Sequence, residues 1–142
     1  MTDAKLSPRL VVDDAAAALD FYTSALGGTE LVRYADPTGR VLHAEVQVGD
    51  DVFSVTDADG HHNISPATLG GSGLLLTLVV ADADATGAAL VGGGAEVVIP
   101  IDDQFYGRRE GRLRDPFGHL WIISQDAPDL PDAEIQRRIG TP

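Results

Sequence analysis

The sequence predicts an α+β fold in which two βαβββ modules pair into an incomplete barrel around a cleft. Three observations support this prediction: segments with strand and helix periodicity alternate, the order β, α, β, β, β occurs twice, and short motifs of the first half recur in the second. A chain of 142 residues with 44% hydrophobic residues can bury one core of ordinary size. We therefore expect a single domain with modules at residues 6–56 and 74–125, joined by a linker at 57–73.

The first module begins with an apolar, β-branched segment at residues 6–12, which indicates a strand. Asp14 suits the cap of a following helix at residues 15–26, whose apolar residues recur three and four positions apart. A pair of glycines marks the end of that helix. Three further strands, separated by turn compositions, are predicted at residues 30–34, 41–48 and 52–56.

The second module repeats this order. After the linker we expect a strand at residues 74–80 and a helix at 82–91, which three consecutive glycines end. Short motifs of the two halves match, residues 11–15 with 79–83 and residues 28–32 with 94–98. One module alone would leave a face of its sheet uncovered, so we expect the two to pair and enclose a cleft, where a ligand would bind.

The tail at residues 131–139 is predicted to form a short helix that caps or packs on the rest of the chain. Proline and acidic residues at its start, and Arg137 and Arg138 in its last turn, complement the helix dipole.

Composition excludes several classes of function. A net charge of −12 repels phosphate backbones, so nucleic acid is not an expected partner. The acidity either attracts cationic small molecules or serves solubility alone. The chain has no cysteine, which removes thiolate chemistry and sulfur metal ligands. Without a long apolar run or an apolar signal core, we expect no membrane partner and a cytoplasmic location.

Residues 102–121 are the best candidate for a site, since they hold four of the ten basic residues beside aromatic side chains. Gln104, Phe105 and Tyr106 offer an amide, a ring and a phenol, which suits a pocket that stacks a planar ligand; the alternative is a loop whose aromatics fill the core. Arg109 could pair bidentately with a ligand carboxylate or phosphonate.

Two more arginines of this stretch, Arg112 and Arg114, have two open interpretations. Either they also face the ligand, or one of them clamps Asp103 or Asp115 and holds the loop.

The end of the stretch combines a turn and a strand. Residues 115–118, Asp-Pro-Phe-Gly, have the composition of a tight turn with a structural role. Trp121 begins the closing strand, either in the core or as a wall of the cleft.

Two groups of histidines are candidates for chemistry. His43 and Glu45 are two positions apart in a strand and therefore point to one side, as an acid–base pair or as two arms of a nonstandard metal site. Alternatively that side faces solvent, or His43 is a hydrogen-bonded core histidine. His61 and His62 lie in a polar loop that does not fix metal geometry, so we expect them to be loop surface.

Four blocks of the sequence carry a family resemblance: residues 19–22, 43–45, 103–107 and 111–121. With Leu-Asp-Phe-Tyr, His-Ala-Glu, Asp-Gln-Phe-Tyr-Gly and a closing block that contains Asp-Pro-Phe-Gly-His, the chain resembles the vicinal-oxygen-chelate superfamily of glyoxalase, bleomycin-resistance and extradiol dioxygenase proteins. Within it, these blocks look like the PhnB-like branch. The resemblance implies the glyoxalase/bleomycin-resistance fold, a small-molecule ligand and a homodimer.

The resemblance also implies where a metal would be held. Metal-dependent members use histidine and glutamate ligands at positions that align here with Ser7, Ser54, Leu76 and Ile122. None of these side chains is a strong ligand for a divalent ion. We therefore expect no cofactor, although a divalent metal at another set of residues stays open.

The sequence leaves three hypotheses. The first is a metal-independent protein that binds a small organic molecule, such as an antibiotic, in the cleft between the modules. The second is a lyase, isomerase or dioxygenase with a metal on His43, Glu45 and a loop histidine, and the third is a dimeric scaffold. Candidate catalytic residues are His43, Glu45 and Tyr106. Candidate ligand-binding residues are His43, Glu45, Gln104, Phe105, Tyr106, Arg109 and Trp121.

Overall fold

The structure, a computed structural model, describes residues 3–140. Within these residues the chain divides into two compact units. The first runs to Gly73 and includes Pro116–His119; the second comprises Leu74–Asp115 and runs on from Leu120.

The first unit holds one open sheet and two helices. Its elements are β1 (Arg9–Val12), α1 (Ala15–Ser24), β2 (Thr29–Ala35), β3 (Val41–Val48), β4 (Asp51–Asp57) and α2 (Pro66–Leu69). The strands follow the order β1-β4-β3-β2, with β1 parallel to β4 and the other pairs antiparallel. This arrangement confirms the predicted βαβββ order.

The second unit repeats the arrangement. Its elements are β5 (Leu75–Val80), α3 (Ala83–Gly92), β6 (Glu96–Asp103), β7 (Arg109–Arg114), β8 (Leu120–Gln125) and α4 (Asp132–Ile139). The strand order is β5-β8-β7-β6, again with the first pair parallel. The fold class is thus α+β, with two four-stranded mixed sheets.

The two halves repeat each other down to their helix caps. Asp14 and Asp82 cap α1 and α3, each by accepting a hydrogen bond of 3.0 Å from the backbone N–H three residues on. At the ends of β4 and β8, the side chains of Asp57 and Gln125 accept from the first N–H of the same helices, at 2.7 and 3.1 Å. Residues at equivalent positions of the two halves therefore make equivalent hydrogen bonds.

Each sheet buries one face under its helix. In the first unit Leu19 and Tyr22 of α1 are fully buried, and the ring of Tyr22 lies edge-on to Phe53 of β4 at 5.3 Å. In the second unit Leu90 of α3 and Ile123 of β8 are buried. Because side chains alternate along a strand, the residues between these buried positions point to the opposite, open face of each sheet.

Several predicted boundaries need correction. The first strand begins at Arg9 rather than residue 6, because ladder pairing with β4 starts there. The helix predicted at 15–26 ends at Ser24, since the N–H groups of both Ala25 and Leu26 bond to the carbonyl of Phe21 and close the last turn. The tail helix starts at Asp132.

The segment expected to be a linker contains a short helix, α2. Ser65 accepts from the N–H of Thr68 as its cap, Pro66 occupies the first turn, and Gly70 ends it at φ +86°. These signals stand in the sequence, but a single turn of helix has too little periodicity to predict. In the described part of the chain, residues 3–140, none of the helices has the length and hydrophobicity that a membrane span requires.

Candidate functional site

The open face of the first sheet brings together the predicted residues His43 and Glu45 and the aligned metal positions Ser7 and Ser54. Ser54 of β4 stands in register with Arg9 of β1 and with Glu45 of β3, so the three side chains share a face. His43 lies two residues before Glu45 on that face. A depression of about 410 Å³ is lined there in part by Ser7, Arg9, His43, Glu45, Phe53 and Ser54.

The imidazole of His43 is held at both nitrogens. Nε2 lies 2.8 Å from Oε2 of Glu45, and Nδ1 lies 3.1 Å from Nη2 of Arg9. A guanidinium only donates, so Nδ1 accepts and the neutral ring carries its proton on Nε2, which it donates to Glu45. Of the alternatives left open by the sequence, the hydrogen-bonded pair of His43 and Glu45 is present, and Arg9, which the sequence did not suggest, contacts the other ring nitrogen.

The open face of the second sheet has a different set of side chains. Ile122 of β8 stands in register with Thr77 of β5 and with Arg112 of β7, and Glu110 precedes Arg112 by two residues. A depression of about 90 Å³ is lined there in part by Ile99, Gln104, Tyr106, Glu110, Arg112 and Ile122. Two residues predicted to bind a ligand, Gln104 and Tyr106, therefore meet on this face with two charged residues.

Tyr106 and Gln104 are both bound to Glu110. The hydroxyl of Tyr106 donates to the Glu110 carboxylate, and Nε2 of Gln104 donates to the Glu110 backbone carbonyl at 3.0 Å. Burial first, and then the hydrogen bond to Glu110, raises the pKa of Tyr106 to about 12. Tyr106 therefore stays protonated at neutral pH. Phe105 is 50% exposed and lies edge-on to the Tyr106 ring at 5.0 Å.

Arg109 is occupied by carboxylates of its own unit. It bonds bidentately to Asp84 at 2.8 and 3.1 Å and to Asp103 at 3.2 Å. These contacts raise the pKa of Arg109 and lower that of Asp84, so the pair stays charged. Arg109, and not Arg112 or Arg114, is thus the arginine that holds Asp103.

Trp121 lies on the helix-covered face of the second sheet. It is 5% exposed, stands in register with buried Leu113, and donates from Nε1 to Oδ2 of Asp115 at 2.9 Å. Of the two roles left open by the sequence, the structure places Trp121 in the core. Its neighbour Ile122 faces the open side instead.

The C-terminal segment supports the turn at residues 104–108, which the sequence did not reveal. Arg108 pairs with Asp129, and Nη1 of Arg138 donates to the Phe105 carbonyl at 2.7 Å. Gly107, at φ +90°, approaches Leu130 so closely that a Cβ there would lie 2.8 Å from its Cγ. The tail helix predicted as a cap therefore holds the loop that carries Gln104 and Tyr106.

The positions that the resemblance assigns to a metal do not suit one. Register places Leu75, rather than Leu76, on the Ile122 face, because Leu76 pairs with Trp121 on the covered side. Serine, leucine and isoleucine are poor ligands for divalent ions. Among residues 3–140, no three His, Asp or Glu side chains are grouped to hold a metal ion, and His61 and His62 stand on an exposed turn.

The sequence matches known proteins over most of its length. The model of the Glyoxalase/Bleomycin resistance protein/Dioxygenase superfamily matches residues 6–123. An uncharacterized protein of Mycobacterium bovis is 38% identical over 140 residues, which cover 96% of this chain and 92% of that protein.

Solved structures share the fold. The X-ray structure of an Arabidopsis thaliana gene product gives a TM-score of 0.69 at 28% identity, covering 87% of this chain and 99% of that one. TioX from Micromonospora sp. ML1 gives 0.68 at 25% identity, with the same coverage of 87% and 99%. The repeated βαβββ units, the matched residues and these relatives agree: the chain belongs to the Glyoxalase/Bleomycin resistance protein/Dioxygenase superfamily.

Proposed function

We propose that this protein binds a small organic molecule, such as an antibiotic, without a resident metal ion. The observation that carries the proposal is the chemistry of the positions aligned with metal ligands, which are Ser7, Ser54 and Ile122, together with Leu76, whose place on the open face is taken by Leu75. Bleomycin resistance proteins give the superfamily part of its name. Sequestration of an antibiotic requires affinity and no chemistry, so such a protein functions without catalytic groups.

The side chains around Ile122 suit such a ligand. Ile122 offers an apolar surface, Gln104 a polar group and Tyr106 an aromatic ring, in a shallow depression of about 90 Å³. Since an engineered cavity that binds benzene measures about 150 Å³, the depression takes one group of a ligand and not a whole drug molecule. The rest of the ligand would lie outside it.

A thermal-shift screen tests the proposal. The panel contains planar aromatic and glycopeptide antibiotics, each measured with EDTA present. A ligand that binds only the native state at about 100 times its Kd adds about 2.7 kcal/mol of stability, which raises Tm by several degrees. We expect at least one such ligand, and a smaller shift for Gln104→Ala than for the matched control Gln47→Ala. If no compound raises Tm, the proposal fails.

A metal enzyme is the second candidate, and the His43–Glu45 pair is the observation that favours it. Two potential ligands stand 2.8 Å apart on an open face. A metal there would have to displace Glu45 from Nε2 or Arg9 from Nδ1, because both nitrogens are already bonded. Elemental analysis of untagged protein tests this candidate, which requires stoichiometric zinc, nickel, manganese or iron that is lost in His43→Gln.

We also propose that the chain forms a homodimer through β6, which is the partner that the family resemblance implies. β6 is an edge strand that exposes Val97 and Ile99, and an apolar groove of about 520 Å³ lies between it and α3. Exposed apolar edge strands tend to pair with another chain. Sedimentation velocity should show a dimer that Val97→Lys dissociates; a wild-type monomer would exclude the dimer, and a Val97→Lys dimer would exclude β6 as its interface.

A further inference from the structure

Within the described part of the chain, two arginines differ from the others because no carboxylate lies near their guanidinium groups. Seven of the nine arginines stand within 4.0 Å of a carboxylate: Arg33, Arg40, Arg108, Arg109, Arg114, Arg137 and Arg138. The other two, Arg9 and Arg112, make no such contact within the described part of the chain.

Both of these arginines stand beside an aligned metal position. Arg9 is in register with Ser54 in the first sheet, and Arg112 is in register with Ile122 in the second. Arg9 donates one N–H to Nδ1 of His43. Arg112 is half-buried, and its Nε is a buried nitrogen without a hydrogen-bond partner among residues 3–140.

A buried guanidinium N–H needs an acceptor, and an anion is the best one. The neighbours of Arg112 do not serve this role. The Glu110 carboxylate accepts the hydroxyl of Tyr106, and the side-chain nitrogen of Gln104 is turned to backbone carbonyls. Arg112 therefore presents positive charge to the depression with its donors available.

We infer that Arg112 binds the oxyanion of a small organic acid, a carboxylate or a phosphonate, in the depression beside Ile122. This inference rests on the proposed function and names its ligand class. A volume of about 90 Å³ suits such a head group. The guanidinium fork of Arg112 matches two oxygens of one group. Arg109, the arginine favoured by the sequence, is held by Asp84 and Asp103 instead.

The net charge of −12 does not oppose this assignment. At physiological ionic strength, exposed charges more than about 8 Å apart are largely screened, so the charge within the depression decides which group binds. The charges there are Arg112 and Glu110, and the Glu110 carboxylate already accepts a hydrogen bond. We expect the acidic surface to slow the approach of an anion without preventing binding.

NMR of the arginine Nε–H groups in the ¹⁵N-labelled full chain tests the inference. Four probes that each carry one phenyl ring are titrated: benzoate, phenylphosphonate, neutral benzamide and cationic benzamidine, of which all but the phosphonate have a planar head group. Arg112→Lys removes and thereby assigns the Arg112 signal. Arg114→Gln is the matched control, since Arg114 lies on the same strand and pairs with Glu96.

We expect benzoate or phenylphosphonate to shift the Arg112 signal saturably, and the stronger of the two identifies the head group. The apparent Kd, read in every variant from the backbone amide of Gly111, should rise about tenfold or more in Arg112→Gln and stay unchanged in Arg114→Gln. If benzamide or benzamidine shifts the amides of Gln104 and Gly111 while neither anion moves Arg112, the inference fails and small-molecule binding stands. If no probe shifts any of these signals, the inference fails and the proposed function loses support with it.

Discussion

Nε2 of His43 lies 2.8 Å from Oε2 of Glu45, and the opposite nitrogen of the ring faces Arg9. These contacts require the neutral His43 to carry its proton on Nε2. Long-range ¹H–¹⁵N spectra should therefore show the Nε2–H tautomer for His43. In Arg9→Gln the Nδ1 contact with a permanent donor is lost, so the fraction of the other tautomer should rise.

The matched control for this experiment is Arg33→Gln, which removes a guanidinium bound to Glu30 on the same sheet and leaves His43 untouched. A wild-type spectrum with the proton on Nδ1 would contradict the assignment.

The hydrogen bond between Tyr106 and Glu110 makes alkaline pH informative. The pKa of Tyr106 is raised to about 12, above its usual value of 10.0. Between these two values the unfolded chain gives up the Tyr106 proton and the folded chain keeps it, so this residue's contribution to stability falls as pH rises from 10 to 12. Tyrosinate absorbance should show a step near pH 12 that Tyr106→Phe removes.

Glu110→Gln should move that step to lower pH, because the carboxylate that favours the protonated phenol is gone while burial remains. Tyr34→Phe is the control and should leave the step in place. A step unaffected by both Tyr106→Phe and Glu110→Gln would show that another tyrosine causes it.

Trp121 is expected to matter for stability and not for binding. Trp121→Phe removes the Nε1–H donor from the buried carboxylate of Asp115, which should lower the free energy of unfolding by about 1–3 kcal/mol. Phe105→Leu, at a half-exposed position, should change it by less than about 0.5 kcal/mol. Urea unfolding followed by circular dichroism measures both. Equal effects of the two substitutions would contradict a stabilising role of the hydrogen bond between Trp121 and Asp115.

The C-terminal helix should control the order of the turn at residues 104–108. Arg138 and Arg137 both bind Glu134, but only Arg138 also reaches the Phe105 carbonyl. In Arg138→Ala the backbone N–H of Gly107, which bonds to the Gln104 carbonyl at 3.0 Å, should exchange with solvent faster. Arg137→Ala should leave its exchange rate unchanged, and a similar acceleration in both variants would contradict the role of Arg138.

The repeated architecture could be predicted because its signals are local. Apolar periodicity, the capping residues Asp14 and Asp82, and the glycines that follow both helices each act within a few residues. The helix α2 was missed because one turn has no periodicity, although Ser65 and Gly70 mark its ends. Strand ends were misplaced by a few residues because pairing with a distant strand, and not local composition, decides them.

The hydrogen-bond partners of the site residues could not be predicted, because they lie far away in the sequence. Arg109 is a candidate ligand-binding residue in the sequence, and the structure adds that Asp84, 25 positions earlier in the chain, bonds to its guanidinium. The ring of His43 is hydrogen-bonded to Arg9, which lies 34 positions earlier in the chain. The location of Trp121 could have been predicted from the sequence. Neighbouring side chains of a strand point to opposite faces, and Ile122 aligns with a position on the open face, so Trp121 must point to the covered face.

Calorimetric titration of the full chain is the most direct test of binding without a metal. Zinc, nickel, manganese and iron(II) are each titrated into protein treated with EDTA and then freed of it, and the best compound of the thermal-shift screen is titrated with and without EDTA. We predict no stoichiometric metal uptake and the same Kd for the compound in both buffers. Stoichiometric uptake that is lost in His43→Gln, together with ligand binding that EDTA abolishes, would contradict metal-independent binding.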